Sequence, residues 1–156
     1  MNLFDKVPEE LVMINLDVED KQSLFEKVAV VLKSYGYIED EFETLAGLNE
    51  REEIMSTGIG QGLAVPHTDC GNARHFALVV VTLKSPIEFH SIDGKPVDVI
   101  FILVVPNQRF DLLSRLLAAV SRILRDGGLL NRLRDSKTQD EALGHLRISE
   151  HRTRPR

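Results

Sequence analysis

The sequence predicts a single α/β domain in which a mixed β-sheet is flanked by helices. Short apolar runs rich in β-branched residues alternate with longer runs of helical period, which is the pattern of α/β architecture. The chain length of 156 residues corresponds to about one domain. The segment between the two longest apolar runs, residues 84–96, is too short for a helical crossover, so those two strands are expected to be antiparallel neighbours.

The chain is predicted to begin with a strand and a helix. Residues 11–16 form a short apolar run, and the acidic stretch 17–20 offers side chains that cap a helix. Apolar residues then recur at the spacing of one helix face: Leu24, Val28, Val31 and Leu32. Gly36 is suited to end this helix, because glycine readily adopts the left-handed conformation found there.

A second helix and a glycine-rich loop are expected next. The helix is predicted to begin near residues 38–40, to extend through residue 55, and to bury Phe42, Leu45 and Leu48. It ends before residues 56–62, where glycine occupies three alternate positions. Glycine permits positive φ angles, so this loop is expected to present backbone N–H groups to an anion.

Three strands are predicted in the middle of the chain. Residues 63–66 form a short apolar run, and His67 is expected at its edge, leading into a polar loop. Residues 76–83 and 97–105 are rich in β-branched residues and predict buried strands, with a turn at 93–96 between them.

The last third is predicted to be helical. An amphipathic helix begins at Asp111, and two shorter helices are expected over 129–133 and 139–146. The basic tail 148–156 is expected to be frayed, so the domain is assigned to residues 1–147.

Composition excludes several classes of protein. Hydrophobic residues make up 43% of the chain, which predicts a packed core, and no apolar run approaches the ~20 residues that a membrane-spanning helix needs. The N-terminus lacks the features of a secretory signal, and the single Cys70 fits a reducing compartment. We therefore expect a cytoplasmic protein without membrane insertion.

The charge is unevenly distributed. The net charge is −5, yet residues 107–156 carry an excess of basic residues. Their arginines recur at helical spacing among leucines, which favours a solvated helix face over a nucleic-acid surface. No nucleic-acid partner is expected, because no nucleic-acid motif accompanies them.

His67 is the strongest candidate for chemistry. A neutral imidazole is a good nucleophile, and a phosphoryl group bound to it would need N–H donors and a cation nearby. The glycine-rich loop and Arg51 could supply both. From the residues alone, a surface histidine at the end of a strand fits the pattern equally well.

Other chemistries fit the sequence less well. The glycine-rich loop lacks the spacing of a dinucleotide fingerprint and the lysine of a phosphate-binding loop. His67, Cys70 and His75 match no common zinc spacing, and neither Ser56 nor Ser85 lies in a nucleophile elbow. No metal or other cofactor is expected.

Residues 51–68 contain an arginine, then Ser-Thr-Gly-Ile-Gly, then Pro-His, in that order. Together with residues 83–89, 92–98 and 104–106, this segment resembles the IIA domain of the bacterial phosphotransferase system, in the fructose, mannitol and nitrogen-regulatory group. The resemblance spans about residues 5–147 and implies a mixed sheet flanked by helices.

The resemblance also implies roles for individual residues. His67 matches the histidine that accepts phosphate from a small histidine phosphocarrier protein of the HPr or NPr type. Arg51 and Thr57 match residues of the surrounding phosphate pocket, to which Gly58 and Gly60 would contribute backbone N–H groups. A transporter, a sensor kinase or a IIB component are the further partners that the resemblance implies.

One position departs from the family pattern. The family usually carries a second histidine seven residues after the proline that ends the last long strand, and counting from Pro106 reaches Leu113. Leucine cannot donate a hydrogen bond to a phosphate, so Arg109 is considered as a substitute cation. Three other histidines lie outside the matching position and are expected at the surface or in loops: His75, His90 and His145.

Three functions follow from these observations. The first is a stand-alone regulatory phosphocarrier of the nitrogen type, which is favoured because the chain ends soon after the domain without a membrane segment or a cysteine-bearing IIB module. The second is a IIA-like binding module without efficient phosphoryl transfer, because of Leu113. The third is the IIA component of a fructose or mannitol transporter.

Overall fold

A computed structural model describes residues 2–155, and within that range a six-stranded mixed sheet is flanked by helices, as predicted. The strands are β1 Val12–Leu16, β2 Gly58–Gly60, β3 Leu63–Ala64, β4 His67–Cys70, β5 Ala77–Ile87 and β6 Val97–Pro106. The α-helices are α1 Lys21–Ser34, α2 Glu41–Ile54, α3 Phe110–Ile123, α4 Leu129–Asp135 and α5 Gln139–Arg152. Two short 3-10 helices precede β1, at Leu3–Lys6 and Glu9–Leu11.

The two long strands β5 and β6 form the centre of the sheet. They are antiparallel, with Val80 opposite Phe101, which confirms the expectation drawn from the short connection between them. β1 pairs parallel with β5, and β3 and β4 pair parallel with successive parts of β6. Residues 99–105 of β6 are all buried, which explains their continuous apolar sequence.

Two predicted details were wrong. His67 does not lead into a loop but begins β4, because Thr68 and its neighbours pair with the buried strand β6. Phe42 is not buried: its side chain is 74% exposed. The buried face of α2 instead runs through Thr44 and Leu48, which are one turn apart.

The predicted fraying of the tail from residue 148 was also wrong, since α5 continues to Arg152. Glu150 is buried, and its carboxylate accepts hydrogen bonds from the backbone N–H groups of Leu3 (2.8 Å) and Phe4 (3.2 Å). This side chain therefore satisfies backbone donors of the first 3-10 helix and holds the end of α5 against it.

The division between a domain 1–147 and a tail 148–156 stays a prediction.

Asp126 predicts an acid-sensitive contribution to stability. The Ser149 hydroxyl (2.7 Å) and then the Arg132 guanidinium (2.6 Å) hold the pKa of this carboxyl below its ordinary value. Because the folded-state pKa is the lower one, the stabilisation is complete above the unfolded value of ~3.9 and is lost as pH falls through the folded value. Urea midpoints of wild type and Asp126→Asn should therefore differ at pH 7, and the difference should shrink as the pH falls below the unfolded value. A constant difference over this range would contradict the assignment.

Candidate functional site

An open cleft of about 340 Å³ lies where α2, β4 and the start of α3 meet. Its walls combine three of the residues singled out in the sequence, His67, Arg51 and Leu113, with residues that were not. The full lining comprises Gly47, Glu50, Arg51, Ile54, His67, Thr68, Asp69, Phe110 and Leu113.

The His67 side chain is half-buried and has a defined orientation. Its Nδ1 lies 2.8 Å from the backbone carbonyl oxygen of Val65. A carbonyl oxygen only accepts hydrogen bonds, so this contact requires the proton of the neutral ring to be on Nδ1. The lone pair is then on Nε2, which makes that atom the nucleophile of the side chain.

Arg51 brings a positive charge to the same cleft from the last turn of α2. Its Nη1 donates a hydrogen bond of 2.9 Å to the carbonyl oxygen of Met55, at the point where the helix ends. Since a guanidinium carries five N–H donors, this contact fixes the side chain and leaves donors for an anion.

The distance between α2 and β4 is set by a glycine. A Cβ atom added to Gly47 would lie only 2.6 Å from Oγ1 of the buried Thr68. Gly47 is one helical turn before Arg51, and Thr68 is adjacent to His67 in β4. This close approach therefore places the Arg51 turn of α2 beside the histidine.

We expect Gly47→Ala to destabilise the protein by about 1–3 kcal/mol, because the added methyl group overpacks the contact with Thr68. The matched control is Gly144→Ala in α5, where an added Cβ would meet nothing within 4 Å. That change should stabilise the protein by up to about 1 kcal/mol, the usual gain of alanine over glycine in a helix. Urea denaturation of both variants checks the opposite signs, and equal shifts would show that α2 does not depend on close contact at Gly47.

Thr57 is not part of the cleft lining. It is buried, and both its backbone N–H (3.2 Å) and its hydroxyl group donate to the carboxylate of Glu52. The same carboxylate forms an ion pair of 2.9 Å with Nζ of Lys21. The hydroxyl of Thr57 thus stabilises the connection that follows α2, the helix that carries Arg51.

Gly58 and Gly60 are not among the residues that line this cleft either, and their role in binding phosphate stays a prediction. Gly58 lies at a second, separate cleft, and Gly60 has φ +100° in the turn toward β3. Here the N–H of Gln61 donates to Oδ2 of Asp93 (3.0 Å). The N–H groups of Lys95 and then Gln61 hold the pKa of Asp93 below its ordinary value. One backbone N–H of this loop, that of Gln61, is therefore used by a carboxylate of the same chain.

At the start of α3, Leu113 and Arg109 differ in their relation to the cleft. Leu113 is half-buried, lines the cleft together with His67, and also packs against the hydrophobic core. Arg109 is exposed, is absent from the cleft lining, and forms an ion pair of 3.1 Å with Asp111. This position does not support a role for Arg109 as the substitute cation, which stays a prediction.

Six residues of the lining were not predicted from the sequence: Gly47, Glu50, Ile54, Thr68, Asp69 and Phe110. Asp69 follows His67 by two positions in β4 and so lies on the same face of the strand. If residues 67–70 are taken as a strand, this spacing predicts that Asp69 lies at the site. Glu50 is adjacent to Arg51 in α2. Ile54 and Phe110 are apolar side chains that remain 81% and 63% exposed at the cleft.

Two further features of residues 2–155 bear on function. No group of three or more histidine, cysteine or acidic side chains in this range is arranged to bind a metal ion. None of the helices in the same range has both the length and the apolar character needed to cross a membrane.

Comparison with known proteins gives consistent matches. The family model of the phosphoenolpyruvate-dependent sugar phosphotransferase system, EIIA 2, matches residues 6–147. A nitrogen regulatory protein of Bradyrhizobium diazoefficiens is 32% identical over 138 residues, which cover 88% of this chain and 89% of that protein. The crystal structure of nitrogen regulatory protein IIA-Ntr from Neisseria meningitidis superposes with a TM-score of 0.85 at 25% identity, covering 94% of this chain and 99% of that one.

A more distant match is similar in fold. The complex of enzyme IIA and phosphorylated enzyme IIB of the Escherichia coli mannitol system contains a chain with a TM-score of 0.77 at 16% identity. The match covers 90% of this chain and 96% of that one.

Proposed function

Because the chain belongs to the EIIA 2 family of the phosphoenolpyruvate-dependent sugar phosphotransferase system, we propose that it is a regulatory phosphocarrier of the nitrogen type that accepts a phosphoryl group on Nε2 of His67. The observation that carries this proposal is the hydrogen bond from His67 Nδ1 to the Val65 carbonyl oxygen (2.8 Å). It leaves the nucleophilic lone pair on Nε2, in a side chain that shares a cleft with Arg51.

The chemistry needs no cofactor. The Nε2 lone pair of His67 attacks the phosphorus of a phosphohistidine on the donor protein, and the donor's P–N bond breaks with its electron pair returning to the donor nitrogen. The ring of His67 becomes cationic, and its Nδ1–H remains hydrogen-bonded to Val65. The Arg51 guanidinium attracts the negatively charged phosphoryl oxygens. Such electrostatic stabilisation, together with positioning, is the main contribution that a protein makes to phosphoryl transfer.

The proposed donor is a small histidine phosphocarrier protein of the HPr or NPr type. Two exposed apolar side chains at the cleft, Ile54 and Phe110, support docking of a protein at this position. In the mannitol system, a chain with this fold has been solved in complex with a phosphorylated IIB enzyme. An acceptor of that kind, a transporter or a sensor kinase is the proposed partner downstream.

A second candidate function is a binding module without efficient phosphoryl transfer. The observation that favours it is the position of Leu113, which lines the cleft with His67 and offers no hydrogen bond to a phosphate. In this alternative, the surface around Ile54 and Phe110 would bind the same class of partner without exchange of phosphate.

Labelling separates the two functions. We expect that phosphoenolpyruvate, the first enzyme of the system and an HPr-type carrier will add one acid-labile, base-stable phosphate to the wild-type protein, and none to His67→Ala. His90→Ala, at an exposed histidine outside the cleft, is the matched control and should be labelled normally. Labelling of His67→Ala would refute the assigned site. A wild type that gains no phosphate, under conditions that label a family member with both histidines, would favour the binding module.

A further inference from the structure

The cleft around His67 carries negative charge of its own, whereas a phosphate-binding site is expected to carry positive charge. Two carboxylates, those of Glu50 and Asp69, line it together with a single guanidinium, that of Arg51. A phosphoryl group adds close to two further negative charges at neutral pH. A phosphorylated His67 would therefore meet a surface whose own charge is net negative.

Asp69 is the carboxylate that lies on the same strand as the histidine. In β4 the half-buried His67 and Asp69 alternate with the buried Thr68 and Cys70, so both side chains are on one face, about 7 Å apart along the strand. The N–H of Gln108 donates to Asp69 Oδ2 (3.2 Å), which holds the carboxylate at the cleft. Among residues 2–155, no lysine or arginine forms an ion pair with Asp69.

We infer that Asp69 shortens the lifetime of phosphorylated His67 by electrostatic repulsion, an inference that rests on the proposed function. Few groups in the cleft offset this repulsion by stabilising the phosphoryl group. Arg51 is the one cation among the described residues of the lining, and Leu113 donates no hydrogen bond. The repulsion raises the free energy of the phosphoprotein and leaves the free protein unaffected. Asp69 thus biases the protein toward rapid release of its phosphoryl group and toward the unphosphorylated state when the donor is limiting.

The same charge also favours the release step. In hydrolysis a water oxygen attacks phosphorus, the P–Nε2 bond breaks, and its electron pair returns to Nε2, which leaves a neutral imidazole and dihydrogen phosphate. The transition state of phosphoryl transfer is loose, so the departing group carries less negative charge on its oxygens than in the phosphohistidine. A neighbouring carboxylate therefore destabilises the starting phosphohistidine more than the transition state.

The test uses potassium phosphoramidate to phosphorylate His67 chemically, without any protein donor, and follows loss of the phosphohistidine by mass spectrometry. Asp69→Asn should lengthen the half-life about tenfold, because it removes the charge but keeps an oxygen that can accept from Gln108 N–H. The control Glu53→Gln removes an exposed carboxylate of α2 outside the cleft and should leave the half-life unchanged. Raising the salt concentration to 1 M should lengthen the wild-type half-life more than that of Asp69→Asn, because salt screens repulsion.

The outcomes separate this inference from the proposed function. If the HPr-type carrier fails to label His67 while phosphoramidate succeeds, the proposed function fails and the half-lives still decide the role of Asp69. A half-life in folded Asp69→Asn equal to or shorter than wild type overturns the inference, and a shorter one shows that the carboxylate stabilises the imidazolium ring instead. If phosphoramidate labels Asp69→Asn but not wild type, the repulsion is confirmed, whereas labelling of neither overturns it.

Discussion

Leu113→His is expected to raise the rate of phosphoryl transfer to His67 by about 30-fold, which corresponds to about 2 kcal/mol. The side chain at this position already lines the cleft with the phosphoacceptor and is half-buried, so a histidine there can reach the phosphoryl group. One donor aimed at developing phosphate charge contributes about 2–4 kcal/mol, and the open cleft places the expectation at the lower end. Initial rates of labelling by a phosphorylated HPr-type carrier measure the effect.

The control for this substitution is Leu112→His. Leu112 precedes Leu113 in α3 and packs against the core but does not line the cleft. It should lower the melting midpoint, as an unsatisfied polar group in a core does, without faster labelling. If Leu113→His behaves in the same way, with a lower melting midpoint and an unchanged labelling rate, then Leu113 contributes only to packing. A histidine at this position would then not assist phosphoryl transfer.

Glu52→Ala is expected to reduce the free energy of unfolding by about 1–3 kcal/mol, the usual cost of leaving buried hydrogen-bond donors without an acceptor. The Glu52 side chain is 6% exposed and accepts hydrogen bonds from Lys21 and from two donors of Thr57. Removing it leaves the Lys21 ammonium without its carboxylate, 4.7 Å from the centre of the Phe89 ring. Equilibrium urea unfolding provides the measurement.

The neighbouring Glu53→Ala serves as control, because Glu53 is exposed and should change stability by less than about 0.5 kcal/mol. The pair Lys21→Met with Glu52→Gln should recover part of the loss, since it removes the unpaired charge and keeps an acceptor for Thr57. Equal changes in the free energy of unfolding for Glu52→Ala and Glu53→Ala would mean that the ion pair between Lys21 and Glu52 does not stabilise the fold.

The fold was predictable because its elements have strong local signals. The β-branched runs of β5 and β6 and the short segment between them determine an antiparallel centre. The short strand β4 was missed, because its sequence His-Thr-Asp-Cys is polar and its pairing comes from β6, far along the chain. Strand formation there depends on a tertiary partner and not on local propensity.

The site was predictable only in part, for a related reason. His67, Arg51 and Leu113 were found from a motif and a count of residues, and the structure places all three on one cleft. The glycine-rich loop was assigned to the same site because glycine N–H groups suit any anion. The local sequence does not show that Gln61 in this loop donates its N–H to Asp93, which is more than thirty residues away along the chain.

The buried Glu150 has a consequence for how this domain can be combined with other proteins. Its contacts with Leu3 and Phe4, and the hydrogen bond from Arg154 to Asn2, hold residues 2–4 beside the end of α5. Termini that are close together allow a domain to be circularly permuted, or inserted into a loop of a host protein, without stretching either junction. A permutant that joins the termini by a short glycine linker and opens the chain at the exposed turn around Gly94, where an added side chain would meet nothing, should retain the fold.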